Sequence, residues 1–259
     1  MSLSNKTAVV TGGANGIGFA TAEELLKNGV SKILLLDLTT GLDAAQQAQL
    51  KTCYPKASVY YAQCDVTKKP QLEKALRQDA IQWLGGIDIL VNSAGVFECE
   101  PARCIGVNLI GLIDCSLIAV DLMTKEKSGK GGFIVNISSI AGLEPYPVAA
   151  AYTASKHGVT GFTRSLGSDL MYNQTGVKFA AICPSATDTN ILKAAGASTF
   201  TFPWMEPAAH EMLKKYTIQP PSAVGKCVVK VILGGETGSI WYSANNTISR
   251  VKYDANKYI

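Results

Sequence analysis

Along the chain, short uninterrupted apolar runs alternate with longer stretches in which apolar residues recur every three or four positions. The runs are TAVVT (7–11), KILLLD (32–37), SVYYAQ (58–63), DILVN (88–92), GFIVNIS (132–138) and VKFAAIC (177–183). Consecutive apolar positions suit strands covered on both faces, as in a parallel sheet. The periodic stretches, at about 16–28, 43–53, 70–84, 102–127 and 151–172, read as helices. Strands alternating with helices imply right-handed crossovers. The expectation is a single α/β domain over 1–259, a doubly wound parallel sheet of about seven strands with helices on both faces.

After residue 184 the rhythm changes. The segment 185–220 is irregular and carries Phe200, Phe202, Pro203, Trp204 and Met205; a helix near 222–234, a strand near 238–242 and a polar tail over 243–259 follow. An apolar loop of that length reads either as a binding lid or as a loop packed on the core.

Composition narrows the classes. With 47% hydrophobic residues, 17% charged and a mean hydropathy of +0.15, the chain carries a large core. Its 24 basic and 20 acidic residues leave a charge of +4, too even for a nucleic-acid or membrane-surface partner, and the lysines at 68–69 and 125–130 read as solvated helix ends. The start MSLSNKTAVV lacks a signal-type apolar region, and no apolar run approaches the roughly 18 residues of a membrane span. A soluble, cytoplasmic protein is expected. The seven cysteines form no CxxC pair and are odd in number, so neither a complete disulfide framework nor a metal site is expected, and most read as small buried hydrophobes. The sequon at Asn136 falls inside a predicted buried strand, where glycosylation is implausible.

Chemistry first shows at the end of the first strand, in T-G-G-A-N-G-I-G (11–18). Gly12, Gly16 and Gly18 allow a tight turn and close backbone approach, so that amides around Asn15 and Ile17 at a helix N-terminus can hold a pyrophosphate. The second strand ends in Asp37, followed by Leu38. A carboxylate there accepts hydrogen bonds from the adenosine ribose and repels a 2′-phosphate, which favours NAD over NADP, although a helix-capping aspartate would read the same way. Two tyrosines stand four residues before a lysine, Tyr152–Lys156 and Tyr253–Lys257, and spacing alone does not separate them.

Position does. TGGANGIG, NSAG (92–95), Asn108, NISSIAG (136–142), YTASK (152–156) and PSATDT (184–189) follow one another at the expected element ends. Together they resemble the short-chain dehydrogenase/reductases over nearly the whole chain. Within them ASKHGVTGFTRSL resembles the 15-hydroxyprostaglandin dehydrogenases, and GSIWYSANNT the insect alcohol dehydrogenases. The resemblance implies a Rossmann domain, NAD, oxidation of a secondary alcohol and a homodimer, with a tetramer as the other assembly. By the same resemblance Tyr152 is the base, Ser139 holds the substrate oxygen, and Asn108 binds a water linking Lys156 to solvent. Lys156 also bonds the nicotinamide ribose, Asp65 and Val66 meet the adenine, and Thr187 and Thr189 lie by the carboxamide and phosphates. Asn92, Ala94, Gly95 and Pro184 complete the cofactor contacts. Two positions depart from the usual pattern: Ser93 stands in the family's Asn-Asn-Ala-Gly, and Ser185 in its Pro-Gly.

Tyr152 and Lys156 are one helical turn apart. An ammonium about 4 Å from a phenolate contributes about 4 kcal/mol at an effective dielectric of 20, roughly three pK units. Without the family, Ser139 reads more readily as a polar strand end, and the plain alternative for Lys156 is a solvated helix face. His157 and His210 read as ordinary helix-surface residues. Val96, Ile140, Leu143, Tyr146, Pro147 and the 200–205 segment with Trp204 are expected to line an apolar substrate pocket. Besides oxidation of a secondary, or also a primary, alcohol, two functions stay open: oxidation of a hydroxylated lipid such as a prostaglandin-like, isoprenoid or steroid alcohol, and a catalytically silent NAD-binding protein.

Overall fold

The apolar runs form parallel strands because each alternates its side chains between two covered faces. In the computed structural model, which describes residues 2–97, 100–127 and 129–253, they are β1 (Thr7–Thr11), β2 (Lys32–Asp37), β3 (Ser58–Gln63), β4 (Ile89–Asn92), β5 (Gly132–Ile137) and β6 (Val177–Pro184). With β7 (Ser239–Ala244) and β8 (Thr247–Arg250) they make one sheet ordered β3-β2-β1-β4-β5-β6-β7-β8. Within β2, Ile33 and Leu35 enter the core on one face and Leu34 and Leu36 the core on the other. The first core is closed by α1 (Gly16–Lys27) and α2 (Ala44–Cys53), with Leu25 and Leu50 buried in it. The second is closed by α3 (69–84) and α4 (Pro101–Met123), through Leu72, Leu76, Cys115 and Ile118. The chain order reverses between β1 and β4, and their carboxyl ends open the crevice where doubly wound sheets bind ligands.

The eighth strand departs from the expected seven. Part of the predicted tail folds back on β7, antiparallel, from Trp241↔Arg250 to Ala244↔Thr247. Asn245 and Asn246 make the turn with φ of 51° and 59°. A two-residue loop with both residues left-handed is the hairpin turn whose twist matches its strands, and asparagine tolerates that conformation.

Helix ends also differ. The helix expected to reach 172 is two: α5 (Ala150–Leu166) stops at Gly167, and α6 (Asp169–Thr175) starts behind a Ser168 cap. A Cβ on Gly167 would lie 2.2 Å from Gly238 backbone, so contact with the β7 approach fixes the break there. α4 ends at Met123, four residues short of the expectation, and holds a π-helical turn over Gly106–Gly111. It also exceeds the expected apolar length: an 18-residue window has a mean hydropathy of 1.9, enough by length and composition to cross a membrane. Here that helix lays Cys115, Ile118, Ala119 and Met123 on the sheet.

The segment 185–220 is less irregular than expected. It holds α7 (Asn190–Lys193), 3₁₀ turns at Ala197–Thr199 and Pro203–Met205, and α8 (Glu206–Leu213), before α9 (Pro221–Gly234) begins with a proline at its first position. Its two ends meet in one bridge: Thr187 pairs with Gln219, Asp188 donates to the Gln219 carbonyl at 2.9 Å, and Gln219 donates to the Ala186 carbonyl at 3.0 Å.

Candidate active site

The turn after β1 is built so that nothing but glycine fits. Gly12 has φ +64°, and a Cβ on it would sit 2.8 Å from Ala94 backbone; one on Gly18 would sit 2.0 Å from the Gly12 carbonyl oxygen. Asn15 is extended and makes no side-chain cap, which leaves the first-turn amides of α1 for a ligand. At the end of β2, Asp37 accepts from the Ala14 amide at 2.9 Å and from the Leu38 amide at 2.7 Å. These groups open on a cleft of about 690 Å³, lined also by Gly16, Ile17, Leu38, Asp65, Val66, Ser93, Gly95, Val96, Tyr152, Lys156 and Thr189. The bare glycine floor, the free helix start and the carboxylate at one end fit an NAD dinucleotide.

A second cavity, about 210 Å³, adjoins the first beyond Tyr152. Ser139, Ile140, Tyr146, Pro184, Thr187 and Thr189 face it, as do Phe97, Phe200, Leu213 and Tyr216. Ile17, Ser138, Tyr152, Thr189 and Ile191 belong to both spaces.

At the junction stand the groups that could move a proton. The Ser139 hydroxyl is within hydrogen-bonding reach of the Tyr152 phenol, but burial dominates and pushes the phenol up to about 12. Lys156, buried to 5% exposure, donates to the Ile137 carbonyl at 3.0 Å. Burial holds its ammonium down to about 8. Its Nζ lies 5.5 Å from the centroid of the Tyr152 ring. Even the roughly three pK units that an ammonium about 4 Å from a phenolate would contribute leave a phenol at about 12 well above neutral. Lysine alone therefore does not bring this phenol to neutrality.

Asn108 sits inside the π turn of α4, fully buried, as functional residues in such turns often do. Its side chain accepts from the Val96 amide at 2.8 Å and donates to the Val96 carbonyl at 2.9 Å and to Ser155 Oγ at 3.2 Å. That spends the amide on pegging the loop after β4, so a water relay here would use the main chain.

Several expected residues stand elsewhere. Asn92 does not line the cleft: it is buried beneath, donating to Ser116 Oγ at 2.8 Å and Asn136 Oδ1 at 2.9 Å, because a polar ladder ties β4 and β5 to the helices. Val96 faces the dinucleotide cleft instead of the apolar cavity, held there by Asn108. Pro184 and Thr187 face the apolar cavity. Leu143 packs on Ala181, Cys183 and Ile240. Trp204 does not line the cavity; it is 73% exposed and stacks on Phe202 at 5.9 Å, because the 3₁₀ turn at Pro203 carries it outward while Phe200 goes in. His210, exposed on α8, also borders the cavity, and Arg103 of α4 borders the cleft; no motif marks either. The two departures are accommodated. The Ser93 amide donates to Thr11 Oγ1 at 3.1 Å, and Ser185, with no left-handed φ, donates its amide to the Ser243 carbonyl at 2.8 Å. Of the second tyrosine–lysine pair, Tyr253 lies on the Arg164 guanidinium at 3.8 Å and Lys257 lies outside the described residues.

Comparison with known proteins agrees with this geometry. The pattern of the short chain dehydrogenase family matches residues 6–199. Alcohol dehydrogenase 2 of Ceratitis cosyra is 37% identical over 253 residues, covering 97% of this chain and 96% of that protein. Human 15-hydroxyprostaglandin dehydrogenase [NAD(+)] is 36% identical over 237 residues, covering 90% and 88%. Among solved structures, a short chain dehydrogenase/reductase from Burkholderia phymatum in complex with NAD superposes with a TM-score of 0.76 at 26% identity, covering 90% of this chain and 87% of that one.

Proposed function

The chain belongs to the short chain dehydrogenase family, and we propose that it oxidises a secondary alcohol with NAD as hydride acceptor, through Ser139, Tyr152 and Lys156. One observation carries the reading: Tyr152 belongs to both the glycine-floored cleft and the apolar cavity, where a hydroxyl entering from one side meets a cofactor entering from the other. NAD bound in the cleft supplies the hydride acceptor and, when oxidised, a positive charge. Ser139 holds the substrate oxygen, and Tyr152 takes its proton as the carbonyl forms. Lys156 favours the phenolate and fixes its position through Ile137. Asp37 favours a free 2′-hydroxyl on the adenosine ribose. The resemblance to alcohol dehydrogenases and to an NAD-dependent 15-hydroxyprostaglandin dehydrogenase supports alcohol oxidation over a silent NAD-binding role.

NADH formation across a panel of secondary alcohols, with NAD and NADP in parallel, tests the reading. Tyr152→Phe should keep NAD binding and lower kcat by about 10²–10⁴, the range of general acid–base catalysis. NAD binding with no turnover in either protein would instead support the silent role. A homodimer joined through α4 and α5 fits Ile110 and Leu117, both about half exposed and seven residues apart on α4; sedimentation equilibrium checks it.

A further inference from the structure

The residue after the loop that Asn108 pegs is Phe97, and no motif singles it out. Its ring stands edge-on to Tyr152 at 4.9 Å between centroids and 70° between planes. The same ring meets Phe200 at 6.0 Å and 77°, and Tyr146 at 6.5 Å and 58°. Two separate stretches of chain thus converge on one side chain: the approach to and start of α5, and the 185–220 segment. Phe97, Phe200, Tyr146 and Tyr152 all line the apolar cavity. Phe97 is the member that touches both the ring carrying the proposed base and the aromatic residue delivered by the lid.

The cavity itself is small. At about 210 Å³ it falls below the roughly 300 Å³ at which pockets for drug-sized ligands begin. Among the described residues no carboxylate, ammonium or guanidinium lines it. A group bonded to the alcohol carbon must therefore be uncharged and compact, and beside Tyr152 its extent is set by where the Phe97 ring stands.

We propose that Phe97 is a specificity-determining residue: its ring walls the cavity beside Tyr152 and restricts the enzyme to compact, uncharged secondary alcohols. The inference rests on the alcohol-oxidising reading of the site. It is independent of Trp204, which stands outside the cavity.

The test compares 2-butanol with 1-cyclohexylethanol, by kcat/KM with NAD, in the wild type, Phe97→Ala and Phe97→Leu. The wild type should favour 2-butanol. Phe97→Ala should raise the ratio of bulky to compact alcohol at least tenfold, mainly through KM for the bulky one, and Phe97→Leu at least threefold. In Phe97→Leu, which keeps the Tyr152 ring covered, the pH profile with 2-butanol should keep its midpoint. A merely structural role would lower both alcohols alike and leave the ratio unmoved. A ratio within twofold of wild type in a variant that still binds NAD overturns the proposal; if Phe97→Ala does not fold, Phe97→Leu decides it on the same criterion. A wild type that binds NAD and oxidises neither alcohol overturns the alcohol reading and this inference with it, a failure visible before any variant is made.

Discussion

The two cavities that meet at Tyr152 are made in different ways. The dinucleotide cleft is built from backbone: strand ends, a glycine turn and a helix start, with neighbouring main chain as close as 2.0 Å to a would-be Cβ. The apolar cavity is built from side chains, Phe97, Tyr146, Phe200 and Leu213, borne on loops and short helices. Backbone recognises what is common to every dinucleotide and tolerates almost no change. Side chains recognise a particular alcohol and can be exchanged one at a time. Changes on the first side should act as all-or-none, and changes on the second as graded shifts.

The most severe expectation concerns Gly18→Ala. A Cβ 2.0 Å from the Gly12 carbonyl meets backbone that has no rotamer to yield, so stability should fall by about 1–3 kcal/mol and NAD binding should disappear. Denaturant unfolding and NAD titration read the two effects, and a variant that binds NAD normally would break the contrast. Next is Lys156→Met. The folded protein lowers this ammonium from its ordinary 10.5 to about 8. Its stabilising contribution is therefore present above pH 10.5 and lost as the pH falls through 8, so at neutral pH the wild type carries the cost of a buried charge, about 3 kcal/mol. The variant should lose catalysis and yet unfold at higher denaturant at pH 7, an advantage that shrinks above pH 8 and vanishes near 10.5; equal stability at all pH values would refute it. Asp37→Ser should lower the NAD-to-NADP ratio of kcat/KM about tenfold, because the repelling carboxylate is gone while a small acceptor remains for the ribose. Smallest is Trp204→Ala: with the indole at the surface, KM for short and long alcohols alike should stay within about twofold of wild type. A selective rise for long alcohols would return Trp204 to the substrate side.

The same contrast decides what could be read from sequence. Seven strands, the glycine turn and Asp37 were legible because each is a local pattern in or beside a strand, where backbone geometry dictates residue type. Phe97 was not, since an aromatic residue two places past Gly95 carries no signal until Phe200 and Tyr146 arrive from more than forty residues away in the chain. Trp204 and Phe200 illustrate the limit: one aromatic-rich segment sends one ring inward and another outward, and the 3₁₀ turn that sorts them has no motif. Asn92 misled for another reason, because a polar residue at a strand end serves a buried ladder as readily as a ligand. The eighth strand was written in the Asn245–Asn246 pair, whose hairpin meaning is masked by the polar residues around it.

The Thr187–Gln219 bridge bears on how such proteins diversify. Chain from 188 to 218 leaves and rejoins the body at one place, so its length is uncoupled from the register of the sheet. Doubling a flexible loop closed at a fixed base costs only about 0.6 kcal/mol in entropy. Insertions at its exposed turns therefore cost little in folding, while the buried Phe200 and Ala209 hold the rest in place, and each insertion redraws the wall above Tyr152. A lineage can drift from one alcohol to another through the part of this cassette beyond Ile191, since Thr189, Asn190 and Ile191 also line the dinucleotide cleft.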